Sequence, residues 1–233
     1  MTVGLKIRNA NQILQIDGNY QNMELVSKST FTINQTENDI RGRFIDVGIP
    51  GGRKNAVIAC SEGTLGVYVI RKNATTFRIY STGDSVPPDK TVVVYMFAAP
   101  LTTTNTGGIG LKVRNRTTGE VVYNSVNKYL RILDFINVSL ASNAGYTTPS
   151  YSGKTVAVVQ CLRPWGRTTA NGGPPNQPIG IFGFNGGTML VNNSNSTVNI
   201  TNRPLYSAVG GAVGNTAWNQ PSGTYLIVDV TGF

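Results

Sequence analysis

The chain carries its own opening segment twice, at an offset of just under half its length. Residues 4–9 read GLKIRN and residues 110–115 read GLKVRN, an offset of 106 residues. Two further pairs of segments align at an offset of 107, so a single insertion brings all three pairs into register: 12–17 with 119–124, and 23–26 with 130–133. A repeat of this length is the size of a whole domain. It predicts a duplicated architecture, which is typical of proteins that build or decorate assemblies.

The repeat continues to the ends of both halves. Residues 54–60 (KNAVIAC) resemble 154–161 (KTVAVVQC), and 87–100 resemble 221–233, where each segment contains a strongly apolar stretch. These closing apolar stretches predict central strands that are covered on both faces.

The two repeats are joined by a Thr- and Asn-rich run at 101–106, which has the composition of a linker. We therefore expect two domains, 1–104 and 105–233, each large enough to bury its own core.

The apolar residues alternate with a period of two almost throughout, as in 4–9, and no long window has the spacing of an amphipathic helix. In the second repeat, 115–119 (NRTTG) predicts a hairpin turn that ends on a left-handed glycine. The fold class that follows is all-β, with two tandem, duplicated β-sandwich domains of jelly-roll-like type. The expected strands are 4–9, 12–17, 22–33, 40–47, 55–61, 65–71, 75–81, 90–98, 110–115, 119–124, 129–139, 154–161, 179–184, 188–192, 196–201 and 223–231.

The charge balance is basic but dispersed. The chain has 20 Lys and Arg against 11 Asp and Glu, a net charge of +9. No basic run is longer than two residues and no helix gathers the cations, so we expect no nucleic-acid binding. The longest apolar run, 92–99, is too short for a membrane span. The segment 1–9 has no apolar signal region, so we expect no secretory signal peptide and synthesis in the cytoplasm.

The chain contains no histidine, which removes His-based triads, His general bases and His-containing metal sites. Paired carboxylates are the main remaining route to catalysis, and the candidates are Glu37 with Asp39 and Asp84 with Asp89. Both pairs lie in turn-like contexts, where such residues usually bond to nearby backbone. We expect no enzyme activity, no cofactor and no metal.

The two cysteines, Cys60 and Cys161, end the matching segments of the two repeats. Their equivalence argues against a disulfide between them. We expect each to be a small buried side chain at the end of a strand in its own domain.

The halves differ in three polar and aromatic segments of the second half, 141–153, 162–178 and 202–222, which we expect to be long loops. Both tryptophans lie there. Long loops on a rigid β scaffold are common binding sites. The candidate binding residues are Tyr146, Tyr151, Trp165, Arg167, Tyr206 and Trp218. The alternative is that these aromatic residues cap the ends of the sandwich or pack on a neighbouring subunit.

Residues 110–133, with the strands GLKVRN, GEVVYNS and KYLRIL, resemble small β-rich structural proteins of tailed-bacteriophage tail modules. The resemblance covers the opening unit of both repeats and carries no catalytic motif. It implies a virion component of the tail tip, the baseplate or the fibre-attachment region. In the first repeat, 17–20 (DGNY) departs from the 124–127 (NSVN) of the second.

The expected function is therefore that of a non-enzymatic phage-tail protein, located in the virion, that acts by oligomeric assembly with copies of itself and with other tail proteins. Three copies of a duplicated chain would supply six quasi-equivalent domains, which could match a six-fold tail tube to a three-fold fibre. The alternatives are a receptor- or carbohydrate-binding module that contacts a host-surface glycan, and a capsid decoration protein.

Overall fold

The structure is all β. A computed structural model of the chain describes residues 6–8, 14–17, 22–36, 43–51, 53, 55–61, 66–81, 90–100, 110–140, 145–171, 180–207 and 216–233. These residues form eighteen strands and no helix, so the described part of the chain holds no helix that could cross a membrane. All the strand pairings between them are antiparallel.

The strands divide between the two halves of the sequence. The first half contains β1 (Lys6–Arg8), β2 (Leu14–Asp17), β3 (Glu24–Thr32), β4 (Arg43–Gly48), β5 (Val57–Ser61), β6 (Val67–Asn73), β7 (Thr76–Ser81) and β8 (Thr91–Ala98). The second half contains β9 (Lys112–Arg114), β10 (Val121–Asn124), β11 (Ile132–Ser139), β12 (Tyr146–Thr147), β13 (Val156–Leu162), β14 (Trp165–Asn171), β15 (Gly180–Asn192), β16 (Thr197–Ser207), β17 (Thr216–Gln220) and β18 (Ser222–Asp229).

Two large sheets and two hairpins contain all of these strands. Sheet I has six strands in the order β11-β18-β13-β5-β8-β3. Sheet II follows the order β12-β16-β15-β6-β7-β4, and β14 and β17 extend it from β15. The hairpins β1-β2 and β9-β10 are separate two-stranded sheets, one at the start of each half.

The strand order of sheet I reads the same from either end when the repeats are matched. From its outer edge inward, the second half supplies β11, β18 and β13, and the first half supplies their counterparts β3, β8 and β5. The counterparts β13 and β5 meet at the centre, where Val158 is paired with Cys60. At the centre of sheet II, β15 meets β6 where Met189 is paired with Val67. Both sheets are therefore continuous across the two halves.

Matching segments of the two halves also meet at the start of β3 and just before β11. Glu24 is bridged to Tyr129, the Leu25 amide donates to the Lys128 carbonyl at 2.7 Å, and the Leu130 amide donates to the Met23 carbonyl at 2.9 Å. These segments are equivalent at the offset of 107 residues. The halves thus contact each other at three places, each time through antiparallel segments.

One buried cluster of apolar side chains draws on both sheets and on both halves, from Ile33 and Ile79 in the first to Val191 and Ile227 in the second. A second cluster includes Tyr95, Phe97 and Val228 and covers the other face of the central strands of sheet I. The predicted burial of the two closing strands is confirmed, because every residue of β18 and all but the first residue of β8 are buried or half-buried. The predicted boundary between domains, near residues 101–106, lies outside the described residues.

Two strands turn a corner from one sheet into the other. β13 in sheet I continues through Arg163 and Pro164 into β14 in sheet II, and β17 continues through Pro221 into β18. β13 pairs with β18 and β14 pairs with β17, so the corner is a bent two-stranded ribbon. Inside the bend lie two glycines, Gly187 and Gly223, against the Pro164 ring.

The hairpin predicted at 115–119 is confirmed. Gly119 has a φ of 72°, its amide donates to the Asn115 carbonyl at 2.8 Å, and the Asn115 side-chain oxygen accepts from the amides of Thr117 and Thr118. A left-handed residue at this position is what glycine allows without steric cost. The corresponding loop of the first repeat, 9–11, lies outside the described residues.

The prediction of three long loops is wrong in part, because each of those segments contains a strand. β12 lies within 141–153, β14 within 162–178, and β17 within 202–222, while β16 extends to Ser207. The expected strands 179–184 and 188–192 are one strand, β15. Asn, Thr and Gly residues in these segments suggested turns, but ladder bonds with long neighbouring strands outweigh that local preference.

The outer part of sheet II contains an ion pair that makes a pH-dependent contribution to stability. Arg78 donates to both carboxylate oxygens of Asp46, at 2.7 and 2.9 Å, and its guanidinium lies 3.8 Å from the centre of the Phe44 ring. The Arg78 bond is the main reason why the pKa of Asp46 falls to about 2, and a bond from Lys72 adds to it.

We expect Asp46→Asn to lower the free energy of unfolding by about 1–2 kcal/mol at pH 7. Because the folded pKa lies below the unfolded value of 3.8, the contribution is complete above that value and disappears as the pH falls toward 2. Urea unfolding of both proteins between pH 2 and pH 7 measures it. A difference that stays constant down to pH 2 would contradict this assignment.

Candidate functional site

Four of the six predicted binding residues lie on neighbouring strands of sheet II. Trp165 and Arg167 are on β14, Trp218 is on β17 and Tyr206 is on β16. Trp218 is paired with Gly166, next to both β14 residues in the sequence. Arg167 is paired with Phe184 of β15, and Phe184 is in turn paired with Tyr206. The register therefore places these four residues on adjoining strands of sheet II, but Trp218 is out of phase with Trp165 and Arg167 along the ladder. Trp165 is half-buried.

The other two predicted residues, Tyr146 and Tyr151, lie elsewhere and are half-buried against the main apolar cluster. Tyr146 is paired with Ile200 across the β12–β16 ladder. The Tyr151 hydroxyl donates to Asp134 at 2.9 Å, and burial, helped by this bond, raises its pKa. These two tyrosines are therefore partly enclosed by other residues of the chain.

No acid–base pair forms among the second-half carboxylates. Asp134 accepts the Tyr151 hydroxyl, whereas Asp229 lies 3.5 Å from Arg131 and 3.1 Å from Lys154. The candidate pairs of the first half, Glu37 with Asp39 and Asp84 with Asp89, lie outside the described residues. In the part of the chain that the structure describes, no three His, Cys, Asp or Glu residues converge on a metal site.

The edge strand β11 presents apolar side chains to solvent. The side chains of Ile132 and Phe135 are 55% and 60% exposed, respectively. Among the described residues β11 pairs only with β18, so its other edge has no strand beside it. Edge strands of this kind are the usual places where a sheet adds a strand from another chain. The sequence analysis predicted a strand at 129–139 but did not predict that any of its apolar side chains face solvent.

The opposite edge of sheet I has a different surface. β3 is the counterpart of β11, and Lys28 stands at the position that matches Phe135 at the offset of 107 residues. Lys28 donates to the Phe233 carbonyl at 2.7 Å and lies 5.4 Å from the centre of the Tyr95 ring. A lysine on an edge strand discourages strand addition. The two repeats thus differ at the outer edges of sheet I, where one has an exposed Phe135 and the other has Lys28 at the matching position.

A side-chain amide joins the two halves where the ladder of sheet II is interrupted. After the pair Met189–Val67, the next pair in that register would be Gly187 with Val69. Instead, Gln160 of sheet I reaches between them: its Oε1 accepts from the Val69 amide at 2.9 Å, and its Nε2 donates to the Gly187 carbonyl at 3.2 Å. The side chain replaces the missing peptide contact. Its signal in the sequence is a glutamine within an otherwise apolar strand, VAVVQCL.

A groove opens beside Gln160 because β5 and β13 share only one residue pair. Two adjoining cavities, of about 290 and 330 Å³, have Val69, Phe77, Gln160 and Cys161 in common. We call the two together the junction groove. The 330 Å³ cavity is bordered by Arg71 and Arg163, and the 290 Å³ cavity by apolar residues of both halves.

The two cysteines are unpaired, but only Cys60 is buried as predicted. Cys161 is exposed, which corrects the prediction for the second repeat. The reason is an irregularity in the β13–β18 ladder: Gln160 is paired with Tyr225 and Leu162 with Thr224, so Cys161 is an extra residue between them. Such a bulge breaks the alternation of faces along a strand.

One thiol per folded chain should therefore react with a disulfide reagent such as dithionitrobenzoate. Burial raises the pKa of Cys60 to about 12 and also raises that of Cys161, so the reaction of Cys161 should accelerate as the pH rises above 9. Absorbance of the released thiolate measures the stoichiometry. We expect Cys161→Ser to abolish the native reaction and Cys60→Ser to leave it unchanged; two reactive thiols in the folded chain would contradict the structure.

Compared with protein families, with curated proteins and with solved structures, the chain finds no match in any of the three.

Proposed function

We propose that this chain is a non-enzymatic structural protein of a phage tail, located in the tail tip, baseplate or fibre-attachment region of the virion. The observation that carries the proposal is the apolar edge strand β11, with Ile132 and Phe135 exposed, at the end of a six-stranded sheet. An open sheet edge with apolar side chains fits a protein that functions by adding to an assembly. The resemblance of 110–133 to tail-module proteins supplies the biological context.

The duplication supports a refinement of the architecture. We propose that each repeat is one β-sandwich unit, and that the two units join side by side through their matching inner strands. Equivalent strands that meet antiparallel in one sheet are related by a two-fold rotation. Neighbours in a six-fold ring would be related by a rotation of 60° instead. Three copies of this chain would therefore present six units that alternate in direction, rather than the uniform ring that the repeat alone suggested.

Replacing Phe135 by Lys should weaken self-association and tail incorporation, because the charge would be desolvated wherever β11 joins another strand. Sedimentation velocity of the purified chain over a range of concentrations measures the first effect, and we expect the association constant to fall by at least tenfold, about 1.4 kcal/mol. Leu111→Lys is the control, since Leu111 is also half exposed but lies just before β9, away from the edge of sheet I. Equal association of the wild type and the Phe135→Lys variant would contradict the role of β11.

Localisation tests the tail assignment itself. A chain carrying a small tag should appear in cryo-electron microscopy maps of phage particles at the tail tip, baseplate or fibre base. Density on the capsid surface would replace the proposal with a capsid decoration role.

A glycan-binding role is the second candidate, and the residues on β14 and β17 favour it. Trp165 and Arg167 are two residues apart on β14, and Trp218 is paired with Gly166 between them; aromatic residues with a cation are suited to contact sugars. Trp165→Ala with Trp218→Ala separates the two functions. Loss of binding to host-cell glycans with assembly intact would favour the binding role, whereas loss of assembly alone would favour the structural one.

A further inference from the structure

The junction groove is an opening that the structural role does not use. It lies where the central strands of sheet I separate after the pair Val158–Cys60. Gln160 lies beside it, with both the oxygen and the nitrogen of its side-chain amide bonded. Its two cavities, of about 290 and 330 Å³, lie near the lower end of the size range of small-molecule sites.

The cavity of about 290 Å³, which we call the inner cavity, is suited to an alkyl chain. Apart from Gln160, all of its lining residues are apolar or carry a thiol, and they come from both halves, among them Val57, Ile58 and Phe77 from the first and Val159, Cys161 and Leu226 from the second. Each methylene group transferred from water into such surroundings adds to the binding affinity.

The cavity of about 330 Å³, which we call the outer cavity, is bordered by positively charged side chains. Arg71 is held in place by the carbonyls of Ala56, Asn73 and Ala74, and its guanidinium lies 5.1 Å from the centre of the Phe77 ring. Arg163 is exposed and also borders this cavity. No carboxylate is among the described residues that line either cavity. An anionic group at this position would therefore be attracted by two guanidinium groups.

The backbone beside the groove is unsuited to an added strand. The Val69 amide is bonded to the Gln160 side chain, and the Ala56 carbonyl is bonded to Arg71. A peptide that joined by strand addition would need such groups unbonded. The surroundings instead match a molecule with one flexible apolar chain and one anionic end.

We propose that the junction groove binds a medium-chain fatty-acid-type amphiphile, with the alkyl chain in the inner cavity and the carboxylate between Arg71 and Arg163. This site goes beyond the proposed structural function and does not depend on it. Because its walls come from both halves, an occupant would also hold the halves together.

Decanoate is the probe, used below its micelle concentration with the full chain. Isothermal titration calorimetry should show one site per chain. Bound decanoate should slow the alkylation of Cys161 by iodoacetamide, because Cys161 lines both cavities. Decanol and decyltrimethylammonium share the chain but lack the anion, and we expect each to bind at least tenfold more weakly. Hexanoate shares the anion but has a shorter chain, and it should also bind more weakly.

Two variants locate the site. Arg163→Gln should weaken decanoate binding about tenfold, or about 1.4 kcal/mol, while Arg116→Gln, in the exposed turn of the β9–β10 hairpin, should leave it unchanged. Val57→Phe should close the inner cavity and abolish binding; if that variant does not fold, the comparison of hexanoate with decanoate still tests the chain site.

Three results would overturn the proposal. The first is a lack of decanoate binding, and the second is equal binding of all three ten-carbon probes. The third is protection of Cys161 that increases with protein concentration alone, which would assign the groove to a second copy of this chain.

Discussion

Replacing Gly187 by Ala should destabilise the protein by about 3 kcal/mol, at the upper end of the range for overpacking a rigid core. A methyl group at this position would lie 2.7 Å from the Tyr225 hydroxyl and 2.9 Å from Leu140 Cδ1, and it would overlap the Pro164 ring. None of these atoms can withdraw easily, because Tyr225 and Leu140 are fully buried and Pro164 is fixed at the corner. Equilibrium unfolding in urea measures the loss.

Gly223→Ala should have a comparable effect, since its methyl group would lie 2.5 Å from Pro164 Cδ and 2.9 Å from the same Tyr225 hydroxyl. The matched control is Gly48→Ala in β4, where nothing lies within 4 Å of the added carbon and the change should be within about 0.5 kcal/mol. If Gly187→Ala proved as stable as Gly48→Ala, the close packing of the corner would be refuted.

Replacing Gln160 by Leu should cost about 2–4 kcal/mol, because it leaves two partly buried backbone groups without partners. The Val69 amide would lose its acceptor and the Gly187 carbonyl would lose its donor, while the volume of the side chain at position 160 stays similar. The same change should loosen the contact between the halves. Limited proteolysis of the native protein should therefore proceed faster, in addition to the loss measured by urea unfolding.

Gln160→Glu gives a graded test, since a carboxylate still accepts from Val69 but cannot donate to Gly187. Gln220→Ala is the control, because the Gln220 amide bonds only two residues away, to the Ser222 carbonyl at 2.9 Å. Equal stability of the Gln160→Leu and Gln220→Ala variants would show that the amide does not join the halves.

The parts of the fold that could be predicted are those that local sequence determines. The Gly119 turn was predictable because a type I turn followed by a left-handed residue needs only neighbouring residues. The closing strands β8 and β18 were predictable because a strand covered on both faces has a continuous apolar sequence. The register of the two repeats also identified the strands that occupy matching places in sheet I.

The rest depends on contacts between distant residues. The sequence of β14 and β17 predicted loops because their ladder partners are nine or more residues away, and their Asn, Thr and Gly residues favour turns when considered alone. The pairing of the two halves at Val158 and Cys60 depends on which strand edges meet in space. The alternation of apolar residues along the sequence carries no information about that. The candidate site divides in the same way. The sequence named Trp165, Arg167, Trp218 and Tyr206, which lie on adjoining strands of sheet II, and Tyr146 and Tyr151, which lie elsewhere. It did not identify the β11 edge or Gln160.

The shared centre of the two sheets affects how the chain can be made. During synthesis β5 and β6 leave the ribosome well before β13 and β15, so their inner edges have no strand to pair with until most of the second half has been translated. Pairings between such distant segments form slowly, and unpaired edges promote aggregation in the interval. We infer that a nascent first half is the stage of biogenesis at which this protein is most exposed to misassembly.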